Sequence, residues 1–456
     1  MTSHADDSGC PHPARGAGSV TSPDGPSAPR RAGTPWLALT GLALTGALLA
    51  YLVKIPCRFG GGWMYGGQYA YGCYTDIFPL YFRDGLGEGA IPYVDVDLEY
   101  PVLIGGLMRV LAWAVEWLPD PTARGLGYFD ATAAVLALCL LAAVLGTGWL
   151  AGRGGVLAPA GAVDRRRALW AGGFVALTPP AFLAAYINWD LLAVALLTGG
   201  LVAYARGRQW SAGVLFGLAV AAKFYPVLVF GPLFVLLARR YLRGDGLTPG
   251  GFLRPLCGAG LAWAAVNLPV YLAAPRGWAT FFTFSQERGA DWGSVYYVLY
   301  GFGIFPMSDQ NLVNTVGMAA MVAACAGVAA LGVCARRAPP LEQLVFLVVA
   351  AFVLTSKVWS PQFVLWLLPL AALAWPRTVR PWVAAAAVGL WQLAEVGYFF
   401  GIWQHLMWNE AASVGLDFPG YAVVALARMA TLLLLCGLVV VDVVRNGTVR
   451  DRRLLS

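Results

Sequence analysis

Apolar runs of bilayer-crossing length recur along this chain from Thr34 to Val441, and short arginine clusters separate them. A helix needs about 20 apolar residues to cross the hydrocarbon core, so the chain has room for roughly ten to thirteen crossings. Only 12% of the 456 residues are charged, and 59% are hydrophobic. A soluble domain carries about 25% charge, enough to dress its surface. This balance excludes an ordinary cytosolic enzyme, a secreted disulfide scaffold and a disordered chain. The expected fold class is all-α: a polytopic membrane protein with about twelve transmembrane helices. The net charge of +7 comes from arginines between the apolar runs. That placement marks cytoplasmic loops rather than a nucleic-acid surface. The eight cysteines show no CxxC or Cys/His spacing, so no zinc site is expected.

Residues 1–33 are rich in Ser, Pro, Gly and Ala and read as a disordered cytoplasmic tail. The run Thr34–Val53 follows Arg30 and Arg31 directly and reads as an uncleaved signal anchor. A membrane domain then extends over 34–441, with a second cytoplasmic tail at 442–456. Within it, 54–126 forms a first outer loop and 274–310 a second. The run 101–118 carries Arg109 and Glu116 and is barely long enough to span. If it crossed, every later basic cluster would lie outside. If it lies in the outer interface as an amphipathic helix, they all fall inside, as the positive-inside rule requires. The second arrangement is adopted, with both termini cytoplasmic in a plasma membrane. Cys57 and Cys73 share the first loop. A disulfide between them would close about 16 residues, worth about 3 kcal/mol; two free thiols are the alternative.

On this map most acidic residues gather at the outer face, with the chain's three lysines, Lys54, Lys223 and Lys357. The helix centres are almost bare of charge, Glu395 and Arg428 excepted. A transporter places ionisable groups near the bilayer midplane, whereas an enzyme working at the membrane surface needs them at one face. The segments that stand out are Tyr74-Thr75-Asp76-Ile77-Phe78-Pro79-Leu80-Tyr81 and Asp97-Leu98-Glu99-Tyr100-Pro101. Three more are Tyr186-Ile187-Asn188-Trp189-Asp190, Lys223-Phe224-Tyr225-Pro226 and Ser356-Lys357-Val358-Trp359-Ser360-Pro361-Gln362-Phe363.

Together these segments resemble the GT-C superfamily of glycosyltransferases, and within it glycosyltransferase family 87. That family includes polyprenyl-phosphate-mannose-dependent enzymes of actinobacterial envelopes. The resemblance implies a first outer loop bearing the catalytic acid and two juxtamembrane helices. It also implies a lipid-phosphate-linked sugar donor and a lipid-linked or envelope glycan acceptor, with the bilayer as the third partner.

The residue inventory fits such chemistry. Sugar transfer to a hydroxyl needs a base for the departing proton. One carboxylate suffices for inversion, and cations absorb the charge of the leaving phosphate. Asp76 is the expected base, a solvated loop carboxylate being the bland alternative. Lys223, Lys357 and Arg288 are the expected donor-phosphate ligands; snorkelling or solvation is theirs. Asp97 and Glu99 are candidates for orienting the acceptor or substituting as base, and Asp190 and His405 for binding the acceptor or sugar. Against that, Asp97 and Glu99 precede a helix start, Asp190 opens one, and His405 lies in an aromatic outer loop, 401–418. Trp359, Trp403 and Trp408 are candidates for stacking, or form an interfacial belt. No clustered metal ligands appear and one Asp base needs no metal, so metal-independent activity is expected, a divalent ion at the outer carboxylates being the alternative. A transporter or flippase of a lipid-linked glycan is the alternative function.

Overall fold

The computed structural model describes residues 33–159, 161–410 and 414–452. The expected N-terminal tail, apart from its last residue, and the last four residues of the C-terminal tail lie outside the described residues. The described part is helical, and its β-structure is one isolated bridge, between Pro92 and Val96.

In chain order the helices begin with α1 (Trp36–Arg58), α2 (Ile77–Arg83), α3 (Val102–Ala114), α4 (Pro121–Arg153) and α5 (Arg165–Leu177). They continue with α6 (Pro179–Ala184), α7 (Asp190–Ala205), α8 (Gln209–Ala222), α9 (Phe230–Arg243), α10 (Pro249–Ala273) and α11 (Pro275–Glu287). The last are α12 (Val295–Gly301), α13 (Gln310–Cys334), α14 (Leu341–Thr355), α15 (Val364–Leu373), α16 (Pro381–Glu410) and α17 (Phe418–Arg452). Seven described helical stretches are long and apolar enough to cross a membrane: α1, Tyr225–Arg243, α4, α10, α13, α16 and Phe418–Asn446. The protein is a multi-pass, all-helical membrane protein.

Local chemistry sets the boundaries. At the start of α4 the Asp120 carboxylate accepts a hydrogen bond from Ala123 N (2.9 Å), with Pro121 in the first turn. Gly154 ends the helix at φ 97°, where a side chain would strain the backbone. Small residues set the packing. A Cβ at Gly213 would collide with Pro255 O, and one at Gly217 with Ala259 O. This Gly-xxx-Gly pair lets α8 press its backbone against α10.

Three boundaries differ from the sequence reading. Helix α1 runs on past Val53 to Arg58, so Lys54 lies inside it, fully buried. Helix α16 continues to Glu410, which places Trp403, His405 and Trp408 on a helix instead of a loop. Helix α17 continues to Arg452, into the stretch read as a tail. Residues 102–114 form a 13-residue helix. The second outer stretch contains the two short helices α11 and α12.

Side-chain contacts give the bundle two distinct ends. Arg58 closes on Asp130 at 2.7 Å, so the end of α1 meets the start of α4. Thr75 Oγ1 donates to Tyr186 O (2.8 Å), bringing the turn before α7 to the same end. At the opposite end Glu342, opening α14, accepts from Val156 N, just beyond α4 (3.3 Å). Buried Arg239, near the end of α9, donates to Gly332 O, Val333 O and Ala335 O at the end of α13.

Candidate active site

The first loop is fixed before it presents any chemistry. Cys57 and Cys73 are joined as a disulfide with Cα atoms 5.9 Å apart, tying the end of α1 to the segment before Asp76. Asp76 N donates to Ile187 O (2.7 Å), and Thr75 Oγ1 accepts from Ile77 N (3.2 Å). These bonds hold Asp76 at the head of α2 against the 186–189 turn. Lys54 Nζ reaches up from α1 to donate to Tyr74 O (2.6 Å).

The Asp76 carboxylate is half-buried. Its Oδ1 accepts from Tyr74 OH (2.6 Å) and its Oδ2 from Tyr100 OH (3.4 Å). Burial pushes the Asp76 carboxyl up to about 6. The Tyr74 bond and the charge of Lys223 pull it down, while Glu99 and Asp190 push it further up. A carboxylate so placed is ionised at neutral pH and basic enough to accept a proton. The charge of Asp76, followed by burial, holds the Tyr74 hydroxyl well above its ordinary range. That phenol therefore stays a hydrogen-bond donor.

Tyr100 bridges Asp76 to a cation. Lys223 Nζ lies 5.4 Å from the Tyr100 ring centre, 5.8 Å from that of Phe363 and 5.9 Å from that of Trp366. It pairs with Asp190 Oδ1 at 2.8 Å, and the Trp366 indole donates to Asp190 Oδ2 (2.9 Å). Lys223 follows α8 in extended conformation. Two residues on, the Tyr225 ring stacks on Trp366 at 4.2 Å. Asp190 opens α7 after Asn188, whose Oδ1 accepts from Asp190 N (3.0 Å).

The other expected residues divide. Glu99 pairs with Arg83 (3.1 Å) and lies near enough to influence Asp76. Asp97 is exposed, and its side chain makes no hydrogen bond or ion pair among the described residues. Lys357 belongs to a second cluster. Its Nζ donates to Gln286 O (2.8 Å), and its carbonyl accepts from Asp291 N (2.7 Å). Burial, then the charge of Arg288, lowers the Lys357 ammonium. Arg288 stands 3.7 Å from Asp291, which accepts from Ser360 Oγ (3.0 Å). The turn 356–363 connects the clusters, since Phe363 at its far end lines the Lys223 cage. His405 is buried and engaged on both ring nitrogens: Nδ1 with Leu416 O (3.1 Å) and Nε2 with Tyr297 OH (2.8 Å). A carbonyl only accepts, so Nδ1 carries the proton and Nε2 accepts from Tyr297. The structure does not bring His405 to Asp76. Trp403 stacks on Tyr74 at 4.4 Å, and Trp359 is buried under Arg428. Trp408 is half-buried.

Sequence reasoning missed Lys54 as a support of this site. The signal was present: a lysine just before Pro56 and Cys57, reading as the end of an apolar run. Among the described residues no three His, Cys, Asp or Glu side chains gather to hold a metal ion.

A family model described as glycosyltransferase family 87 matches residues 100–361. The chain belongs to glycosyltransferase family 87. The match spans Tyr100, Asp190, Lys223 and Lys357 and begins after Asp76, so this family 87 protein's first loop lies mostly outside it. No curated protein sequence matches the chain. Among solved structures, one similar chain is ArnT from Cupriavidus metallidurans bound to undecaprenyl phosphate. It is 17% identical at a TM-score of 0.45, over 91% of this chain and 78% of that one. Another is the Archaeoglobus fulgidus oligosaccharyltransferase, 13% identical at a TM-score of 0.34. That alignment covers 88% of this chain and 56% of that one.

Proposed function

We propose that this protein transfers a hexose, mannose by family resemblance, from a polyprenyl phosphate to a lipid-linked or envelope glycan hydroxyl. The reading places about twelve crossings in the bilayer, both termini in the cytoplasm, and Asp76 with Lys223 at the outer face. The observation that carries it is the meeting of Asp76 and Lys223 on Tyr100: a base and a cation on one phenol ring.

In this reading the acceptor oxygen attacks the anomeric carbon from the face opposite the phosphate. The carbon–oxygen bond to phosphate breaks, the acceptor proton passes to Asp76, and the anomeric centre inverts. Polyprenyl phosphate leaves with the bonding electrons, and Lys223 stabilises its developing charge. Asp190 then acts chiefly by holding Lys223, and Glu99 orients the acceptor. Lys357 and Arg288 complete the phosphate site from the 286–291 and 356–363 segments. The ammonium of Lys223 does the work a divalent ion would do, so the reading calls for no metal.

The test offers membranes carrying the protein a radiolabelled polyprenyl-phosphate sugar or the matching nucleotide sugar, with a chelator present. Label entering the glycan fraction from the lipid donor alone supports the reading. Use of the nucleotide sugar, or movement of intact lipid-linked sugar across the bilayer without transfer, overturns it. The second outcome would establish the flippase alternative.

A further inference from the structure

The end of the bundle away from Asp76 carries a feature that sugar transfer does not use. An open slot of about 200 Å³ runs between α1, α4 and α7. Trp36, Trp149 and Val202 wall it, and Gly146 and Gly199 contribute no side chain to fill it. Arg206 stands in the same lining. Its guanidinium lies 4.8 Å from the Trp149 ring centre, and that of Arg153 lies 5.0 Å from the same ring. The two cations differ in how they are used. Arg153 donates to Ala205 O and Ala158 O, both at 2.6 Å. Arg206 is exposed and has no carboxylate partner among the described residues.

Two guanidinium groups around one indole repel each other; the charge of Glu342 offsets this at Arg153, which leaves Arg206 as the cation that a bound anion would neutralise. An apolar slot flanked by tryptophans and ending in an unpaired cation is complementary to a particular amphiphile. That molecule has a hydrocarbon chain and a phosphate at its head. We infer that this slot binds an anionic glycerophospholipid, with one acyl chain beside Gly146 and Gly199 and the phosphate against Arg206. A zwitterionic lipid fits the slot equally well but brings its own cation to the arginines. The inference rests on the membrane-embedded bundle and is independent of the proposed sugar transfer.

The test is native mass spectrometry of the full chain released from detergent. Phosphatidylglycerol and phosphatidylcholine of distinguishable chain length are supplied together, and melting is followed in parallel. Wild type should retain phosphatidylglycerol in preference and melt higher in its presence. Arg206→Ala should lose about fivefold in phosphatidylglycerol retention, the worth of one surface arginine, and Arg206→Lys should keep most of it. Gly199→Leu adds a side chain at a glycine of the slot lining, where a Cβ makes a single ordinary contact, with Leu215 Cδ1 at 3.6 Å. It should lower retention while leaving the lipid-free melting point near wild type. Equal retention of both lipids by wild type would overturn the headgroup assignment. Undiminished phosphatidylglycerol on folded Arg206→Ala and Gly199→Leu would overturn the site.

Discussion

Two cations in this chain hold carboxylates at the same distance, and the similarity ends there. Lys223 pairs with Asp190 at 2.8 Å, and Arg428 pairs with Glu395 at 2.8 Å. Arg428 is fully buried and spends its nitrogens on Glu395, Trp359 O and Ser360 O, between the rings of Trp359 and Tyr398. It locks the turn that carries Lys357. The Lys223 side chain stays 19% exposed, and Asp190 is its one ion-pair partner among the described residues. Its ammonium has N–H groups left for a phosphate oxygen. A saturated buried pair builds structure; an unsaturated pair at an opening is equipped to bind.

Breaking the closed pair should have the largest effect. Arg428→Met leaves the Glu395 charge buried alone and should cost about 3–5 kcal/mol in unfolding free energy. Arg428→Met with Glu395→Met should restore much of that. A single variant as stable as wild type would collapse the distinction between the two pairs. The open pair should lose activity far more than stability. Lys223→Gln keeps a hydrogen bond to Asp190 but removes the charge. It should lower kcat/KM about 10²–10³-fold, with a smaller loss of melting temperature than Arg428→Met.

A pH profile sharpens the comparison further. Asp76 must be ionised to act as base, so kcat/KM should rise with pH, level off above about 6, and fall roughly tenfold per unit below it. The charge of Lys223 pulls Asp76 down and that of Glu99 pushes it up. Lys223→Gln should therefore move the acid limb to higher pH, and Glu99→Gln should move it lower. A limb indifferent to both would separate Asp76 from its neighbours. The smallest effect belongs to the exposed, unpartnered Asp97: Asp97→Asn should leave kcat/KM within about twofold of wild type.

The sequence announced residues at turns better than residues in helices. Asp76, Asp190 and Lys223 stand out because polar groups at the ends of apolar runs are costly without a purpose. Their mutual pairing was not legible, since Asp190 and Lys223 come from different helix ends and meet only in the folded bundle. Lys54 was hidden because a lysine ending an apolar run looks like a boundary; one more turn of helix puts it beneath Tyr74. His405 was misplaced for the converse reason. Its aromatic surroundings read as a loop, yet they continue α16, and both of its nitrogens are occupied within the protein. Glu395 and Arg428 looked anomalous separately, and packing α16 against α17 pairs them.

The central claim is that Asp76 takes the acceptor's proton. Its raised pKa means that the ionised carboxylate weighs against folding above pH about 6, a burden relieved as pH falls through that value. Asp76→Asn removes the burden together with the base. The decisive measurement compares sugar transfer from a radiolabelled polyprenyl-phosphate donor by wild type and Asp76→Asn, with melting temperature recorded for both. Transfer abolished in a variant that melts at or above wild type is the expected result. Undiminished transfer by Asp76→Asn would contradict the claim and pass the role of base to Glu99.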